Sequence, residues 1–187
     1  GDHRDLHRVD RRQRQMCIRD RFPAHQFSWK VLGELMGQTG RKFKALNFKK
    51  RSVLLAPRDA EAHNNLGVTL KELGQLREAE ASYRYAILLK SDYIEAHYNL
   101  ANILKEMGNL EGAEKSYRQA IVLKPNFVEA HNNLGATLQK LDRLTEAEVS
   151  YRQAITLKSD YAEAHNNLGA TLQKLGRLAE AETSYRQ

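Results

Sequence analysis

The sequence predicts an all-α chain of antiparallel helix pairs stacked as a solenoid, and three observations carry the prediction. The heptapeptide EAHNNLG begins at Glu61, returns as EAHYNLA at Glu95 and as EAHNNLG at Glu129 and Glu163, each step being 34 residues. In the same register AEASYRYAILLK, AEKSYRQAIVLK, AEVSYRQAITLK and AETSYRQ recur. Between the two blocks stands Gly40, Gly74, Gly108 or Gly176, with Asp142 as the one replacement; these residues suit a left-handed turn between helices. A fixed period of roughly 20 to 50 residues marks supersecondary units that bury their apolar faces by stacking on one another.

With Ala60, Ile94, Val128 and Ala162 as position 1, position 7 holds Leu66, Leu100, Leu134 and Leu168. Position 8 holds Gly67, Ala101, Gly135 and Gly169, and position 20 holds Ala79, Ala113, Ala147 and Ala181. Position 24 is Tyr83, Tyr117, Tyr151 and Tyr185. Small residues at positions 8 and 20 let two helices approach closely while leucine and tyrosine fill the seam. The pattern resembles the tetratricopeptide repeat (TPR), whose helix-turn-helix unit reads W-x2-L-G-x2-Y, then A-x3-F, then P. The resemblance implies a right-handed TPR solenoid of antiparallel helix pairs.

The elements follow in order. Residues 1–21 share no register with the repeats, and they hold the single cysteine, Cys17, within RRQRQMCIRDR. Back-translated, Gly1 to His7 and Arg11 to Asp20 resemble a short-read flow-cell adapter and a transposase mosaic-end adapter, with Arg8 to Asp10 where an index lies. Residues 1–21 are therefore expected to be a disordered, non-native adapter translation and are excluded from fold reasoning. Residues 22–25 are expected to be the tail of a truncated upstream repeat, with Pro23 at its position 32. Residues 26–59 form a divergent repeat, with Trp29, Leu32, Gly33, Met36, Ala45 and Pro57 in register but Lys49 where an aromatic belongs, and Gly37 inside its first helix. It is expected to be the least stable repeat. Regular repeats are expected at 60–93, 94–127 and 128–161, and a truncated one at 162–187.

Charge separates the adapter-like and divergent segments from the rest. The net +7 splits into +3 for residues 1–21, +6 for 22–59 and −2 for 60–187, so the regular repeats give no basic surface for nucleic acid. No run of 18 uncharged apolar residues exists to span a membrane, and no apolar stretch near the N-terminus reads as a signal peptide. No membrane partner is expected, and the expected location is cytoplasmic.

Several constellations invite a functional reading, and each has a packing alternative. His63, His97, His131 and His165 share position 4, but equivalent positions stand at least a helix spacing of about 8 to 10 Å apart, whereas zinc needs its nitrogens about 2 Å from one centre. They are expected to be amphipathic rings in the place of the pattern's tryptophan, with no metal and no cofactor. Glu95, Glu129 and Glu163 follow Asp92, Asn126 and Asp160 by three residues, the spacing of a capping box. GQTGRK from Gly37 lacks both the spacing and the preceding strand of a phosphate loop.

The informative polar set is Asn65, Asn99, Asn133 and Asn167, at position 6 of each regular first helix. Asparagine is a poor helix former, and its amide can pair with both groups of a peptide backbone whatever the peptide's sequence. The series resembles the asparagine ladder in the repeat arm of protein O-linked N-acetylglucosamine transferases, which implies a groove for extended polypeptide. Asn64, Asn132 and Asn166 at position 5, interrupted by Tyr98, would add polar wall and an aromatic contact. TPR members that clamp C-terminal carboxylates carry lysine at positions 5 and 2; Asn or Tyr and Glu stand there instead, leaving Lys71 and Lys105 at position 12 as weaker options. The expected function is a non-catalytic protein-interaction scaffold binding an extended polypeptide in its concave groove. The alternative is the substrate-recruiting arm of a larger, glycosyltransferase-like enzyme, since similar bacterial arrays are joined to such domains. Uncapped solenoid ends would expose an apolar seam, so self-association is also expected.

Overall fold

A computed structural model describes residues 26–187, where ten helices and no strand are found. The adapter-like residues 1–21, Cys17 among them, and the expected tail at 22–25 lie outside the described residues. The chain divides into two compact units, one ending at Ser91 and the other beginning at Asp92.

The first unit contains α1 (Gln26–Gln38), α2 (Lys42–Leu55), α3 (Ala60–Glu72) and α4 (Leu76–Leu89). In α3 and α4 the position-7, 20 and 24 residues Leu66, Ala79 and Tyr83 are buried. A Cβ on Gly67 would lie 2.7 Å from the Tyr83 ring, so the small residue is what admits the aromatic. The divergent repeat solves the same problem with a lysine. Lys49 is buried with its Cγ 2.7 Å from where a Cβ on Gly33 would stand, and its ammonium reaches Glu34 at 3.5 Å. The aliphatic stem thus takes the seam and the charge escapes to the rim. Trp29 packs on Phe48 with ring centroids 5.6 Å apart. Gly37 closes no phosphate loop; it lies in the last turn of α1, and its carbonyl accepts the Gly40 amide at 2.9 Å.

The second unit contains α5 (Ile94–Glu106), α6 (Leu110–Leu123), α7 (Val128–Lys140), α8 (Leu144–Leu157), α9 (Ala162–Lys174) and α10 (Leu178–Tyr185). The helix-to-helix turn residues take positive φ, Gly108 at 81°, Asp142 at 59° and Gly176 at 77°, so position 15 demands the left-handed conformation and Asp142 meets it with a Cβ. Tyr117 and Tyr151 are fully buried, and a Cβ on Gly135 would lie 2.7 Å from the Tyr151 ring.

The capping boxes are a correction. The residues flanking α5, α7 and α9 as N-caps are Tyr93, Phe127 and Tyr161, none with a side-chain cap bond. Asp92, Asn126 and Asp160 fall one residue too early to cap, and at α9 it is the Asp160 backbone carbonyl that accepts, from the Ala162 amide at 3.0 Å. Among the described caps only that of α3 is acidic, Asp59, which accepts from the Ala62 amide at 3.0 Å.

Along the second-helix side of this unit the charged residues form a repeating lattice. Arg143 bridges Glu114 of α6 at 2.6 Å and Glu146 at 2.6 Å, while Arg118 reaches Glu114 at 3.0 Å and Glu146 at 3.2 Å. One repeat later Arg177 bridges Glu148 at 2.7 Å and Glu180 at 2.5 Å, and Arg152 joins the same two carboxylates. Each knot ties the arginine at position 16 of one repeat to the glutamate at position 21 of the repeat before it.

Candidate functional site

The first helices place the sequence-selected residues as follows. In the first unit Asn65 is half-buried, Asn64 is buried and Lys71 is exposed. In the second unit Asn99, Asn133 and Asn167 are half-buried, as are Tyr98 and Lys105, while Asn166 is exposed.

Asn132 is only 1% exposed, so it and buried Asn64 are not the polar wall expected of position 5. The reason is visible in the bonds of Asn132. Its amide donates to Glu163 Oε1 at 3.0 Å and accepts from Asn167 Nδ2 at 3.1 Å, so it is a strut between α7 and α9. Tyr161 completes the cluster by donating to Glu163 Oε2 at 3.1 Å. Burial, with the Glu163 carboxylate beside it, pushes the Tyr161 hydroxyl up to about 12, so it remains a donor at neutral pH. Glu163, read from sequence as a cap, is a bridging acceptor.

A second cluster lies between α5 and α7. Asn133 donates to the Tyr98 hydroxyl at 2.9 Å and accepts from Lys105 Nζ at 3.1 Å. Tyr98 packs against Phe127 and Tyr117 with centroids 4.7 and 5.9 Å apart, and Lys105 lies 5.8 Å from the Tyr117 ring centre. Burial raises the Tyr98 hydroxyl above its ordinary value, with Glu129 and Glu163 adding to it and its hydrogen bonds from the asparagines opposing it. Asn133 and Asn167 are therefore held by neighbouring repeats with part of each amide still unused. An amide has two N–H groups and two acceptor lone pairs; Asn133 spends one N–H on Tyr98 and one lone pair on Lys105, and Asn167 spends one N–H on Asn132. The Tyr98–Lys105 flank of the ladder was not legible as an ordering device, because its partners are 28 and 35 residues distant in the chain.

The position-4 histidines have a role that sequence reasoning missed. His63 Nε2 donates to the Pro57 carbonyl at 3.0 Å, His131 to Pro125 at 2.9 Å and His165 to Ser159 at 2.9 Å. A carbonyl can only accept, so the Nε2–H tautomer is fixed. Each histidine therefore latches the loop six residues before it onto the first helix. Among the described residues no group of three or more His, Cys, Asp or Glu side chains could hold a metal ion, and no helix is long and apolar enough to cross a membrane.

With this geometry described, the comparisons are specific. A profile described as "TPR repeat" matches residues 69–108, 101–142 and 140–176, and one described as "Tetratricopeptide repeat" matches 50–81. A search of curated proteins gives no match. Among solved structures the chain is similar to MamA, with TM-score 0.80 and 21% identity over 83% of this chain and 91% of that one. It is also similar to YrrB, described as a TPR protein with an unusual peptide-binding site, with TM-score 0.77 and 18% identity over 91% and 88%. A Pseudomonas aeruginosa pilF structure gives TM-score 0.77 and 21% identity over 89% and 76%. At these identities the structures establish the fold, an all-α TPR helical repeat. The profile matches span most of the chain, which belongs to the tetratricopeptide-repeat family.

Proposed function

We propose that the first-helix face of the second unit binds an extended polypeptide, with Asn99, Asn133 and Asn167 addressing its backbone. The TPR fold supports a protein-interaction scaffold. The observation that carries the finer reading is the bonding of Asn133 and Asn167. Each is anchored across repeats by a neighbour, which lowers the entropy lost on meeting a ligand, and each keeps amide valence for a peptide group. Exposed Asn166 extends the polar surface and Tyr98 gives it an aromatic floor. YrrB, a relative in fold, is described by its peptide-binding site.

The bland alternative is that the asparagines only brace the repeats, since Asn132 does so. The two readings separate in the double variant Asn133→Ala with Asn167→Ala, checked by circular dichroism for retained helix. Loss of polypeptide capture with the helix signal kept supports the groove; unchanged capture makes the asparagines braces and the chain a spacer. The substrate-arm reading uses the same groove and adds a transferase domain. Long-read sequencing of the source locus across residues 1–21 and beyond Gln187 tests it together with the adapter reading.

A further inference from the structure

In the second unit one buried side-chain polar atom, the Tyr151 hydroxyl, has no hydrogen-bond partner among the described residues. Buried polar groups are nearly always bonded, so an orphan calls for a reason. Tyr151 is fully buried, and its ring crosses α7 at Gly135, where a Cβ would lie 2.7 Å from it. One repeat earlier the equivalent hydroxyl is satisfied: Tyr117, also fully buried, donates to Asn102 Oδ1 at 2.5 Å. Asn102 stands at position 9 and is itself half-exposed, so a carboxamide at the surface of the first helix reaches a position-24 hydroxyl. Half-exposed Ala136 fills position 9 on α7 and brings no acceptor.

The polar side chains of α7 near this point are engaged elsewhere. Asn132 bonds Glu163 and Asn167, Gln139 donates to Thr171 Oγ1 at 3.2 Å, and Thr137 donates to the Asn133 carbonyl at 2.8 Å. Burial, with the Glu163 carboxylate adding to it, pushes the Tyr151 hydroxyl up, so it keeps its proton and lacks an acceptor for it. The same carboxylate disfavours a second anion nearby, which leaves a neutral acceptor.

Resting on the reading of the first-helix face as a polypeptide groove, we infer that Tyr151 is a specificity point of that groove. Its hydroxyl donates to the side-chain carbonyl of an asparagine or glutamine of the bound polypeptide, seated over Ala136 where Asn102 sits in the repeat before. The hydroxyl lies below the surface, so a ligand side chain must reach it while the position-6 asparagines hold the ligand backbone. The oxygen is closed to water in the free chain, so a neighbouring side chain moves on entry. Gln139, at position 12, where Lys105 lies by the Tyr117 ring, is the residue placed to do so. A site built around a buried donor rejects a ligand that leaves the donor unpaired.

Random displayed peptides selected on the 187-residue chain test this, with Tyr151→Phe, Ala136→Asn and the Asn133→Ala, Asn167→Ala double variant alongside it. Tyr151→Phe removes the donor, and Ala136→Asn supplies it with the internal acceptor of the preceding repeat. Circular dichroism confirms that each variant retains its helices. The wild type is expected to enrich peptides carrying an asparagine or glutamine. Exchanging that residue for alanine or aspartate should weaken binding to the wild type about threefold to tenfold, and should leave binding to Tyr151→Phe and Ala136→Asn unchanged. Peptides that require Asn133 and Asn167 yet show the same carboxamide preference on Tyr151→Phe, or no such preference on the wild type, overturn this subsite and leave the groove standing. Failure to select any peptide, or selection unmoved by the double asparagine variant, overturns the groove and the subsite with it.

Discussion

Two tyrosines in equivalent positions should respond oppositely to loss of the same atom. Tyr117 and Tyr151 are both fully buried at position 24. The Tyr117 hydroxyl donates to Asn102 Oδ1 at 2.5 Å, whereas Ala136 stands where Asn102 does and the Tyr151 hydroxyl has no partner among the described residues. A buried hydroxyl without a partner costs about 1–3 kcal/mol in lost hydration. Deleting it opens a void near 15 Å³, which at about 24 cal/mol per Å³ costs roughly 0.4 kcal/mol. Tyr151→Phe should therefore stabilise the chain by about 0.6–2.6 kcal/mol. Tyr117→Phe removes a made bond and should cost about 1 kcal/mol, because half-exposed Asn102 can rehydrate its freed oxygen. Urea unfolding monitored by circular dichroism reads both, with midpoints moving in opposite directions at unchanged slope. If Tyr151→Phe lowers the midpoint as much as Tyr117→Phe does, the hydroxyl is bonded in solution and the reasoning fails.

Asp142→Gly should stabilise by about 0.5–1 kcal/mol by releasing the only non-glycine positive φ among the described residues, at 59°, and thermal unfolding would show it. His131→Phe keeps the ring and removes the loop latch; a loss of about 1 kcal/mol, with faster hydrogen exchange confined to the loop around Pro125, is expected. Asp59 is held below the ordinary carboxylate value even though burial opposes this, by the Ala62 amide, the Gln26 side chain and Lys30. A depressed folded value means stability that is present above the unfolded pKa of about 4 and fades as pH falls toward the folded value. Asp59→Asn should flatten that acid limb in a pH titration of stability.

The repeat architecture was legible because a solenoid writes the same contacts every 34 residues. Leucine at position 7, a small residue at position 8 and tyrosine at position 24 touch within one helix pair, so spacing alone identified them. The left-handed turn at position 15 was legible for the same reason, including at Asp142. Caps were misread because their geometry depends on one residue of helix start. Tyr93, Phe127 and Tyr161 stand at the N-cap position without a side-chain cap bond, and the acidic or amide residue before each is one place too early. Asn132 and Asn133 are neighbours of identical chemistry, and nothing in the sequence tells that the first is a buried strut and the second half-open. Their difference arises from the approach of α9, which brings Glu163 and Asn167 onto one and leaves the other beside Tyr98 and Lys105. Lys49 broke the aromatic rule, and its long apolar stem explains how the position tolerates it.

The groove itself is tested most directly by site-specific photocrosslinking. A photoreactive residue replaces exposed Asn166 on the first-helix face in one sample and exposed Gln153 on the second-helix face in the other, each mixed with the same set of extended polypeptides. Adducts at 166 that disappear in the Asn133→Ala, Asn167→Ala background, with none at 153, are the predicted result. Equal crosslinking at both positions, or adducts at 166 that survive the double variant, would contradict recognition by the asparagine face.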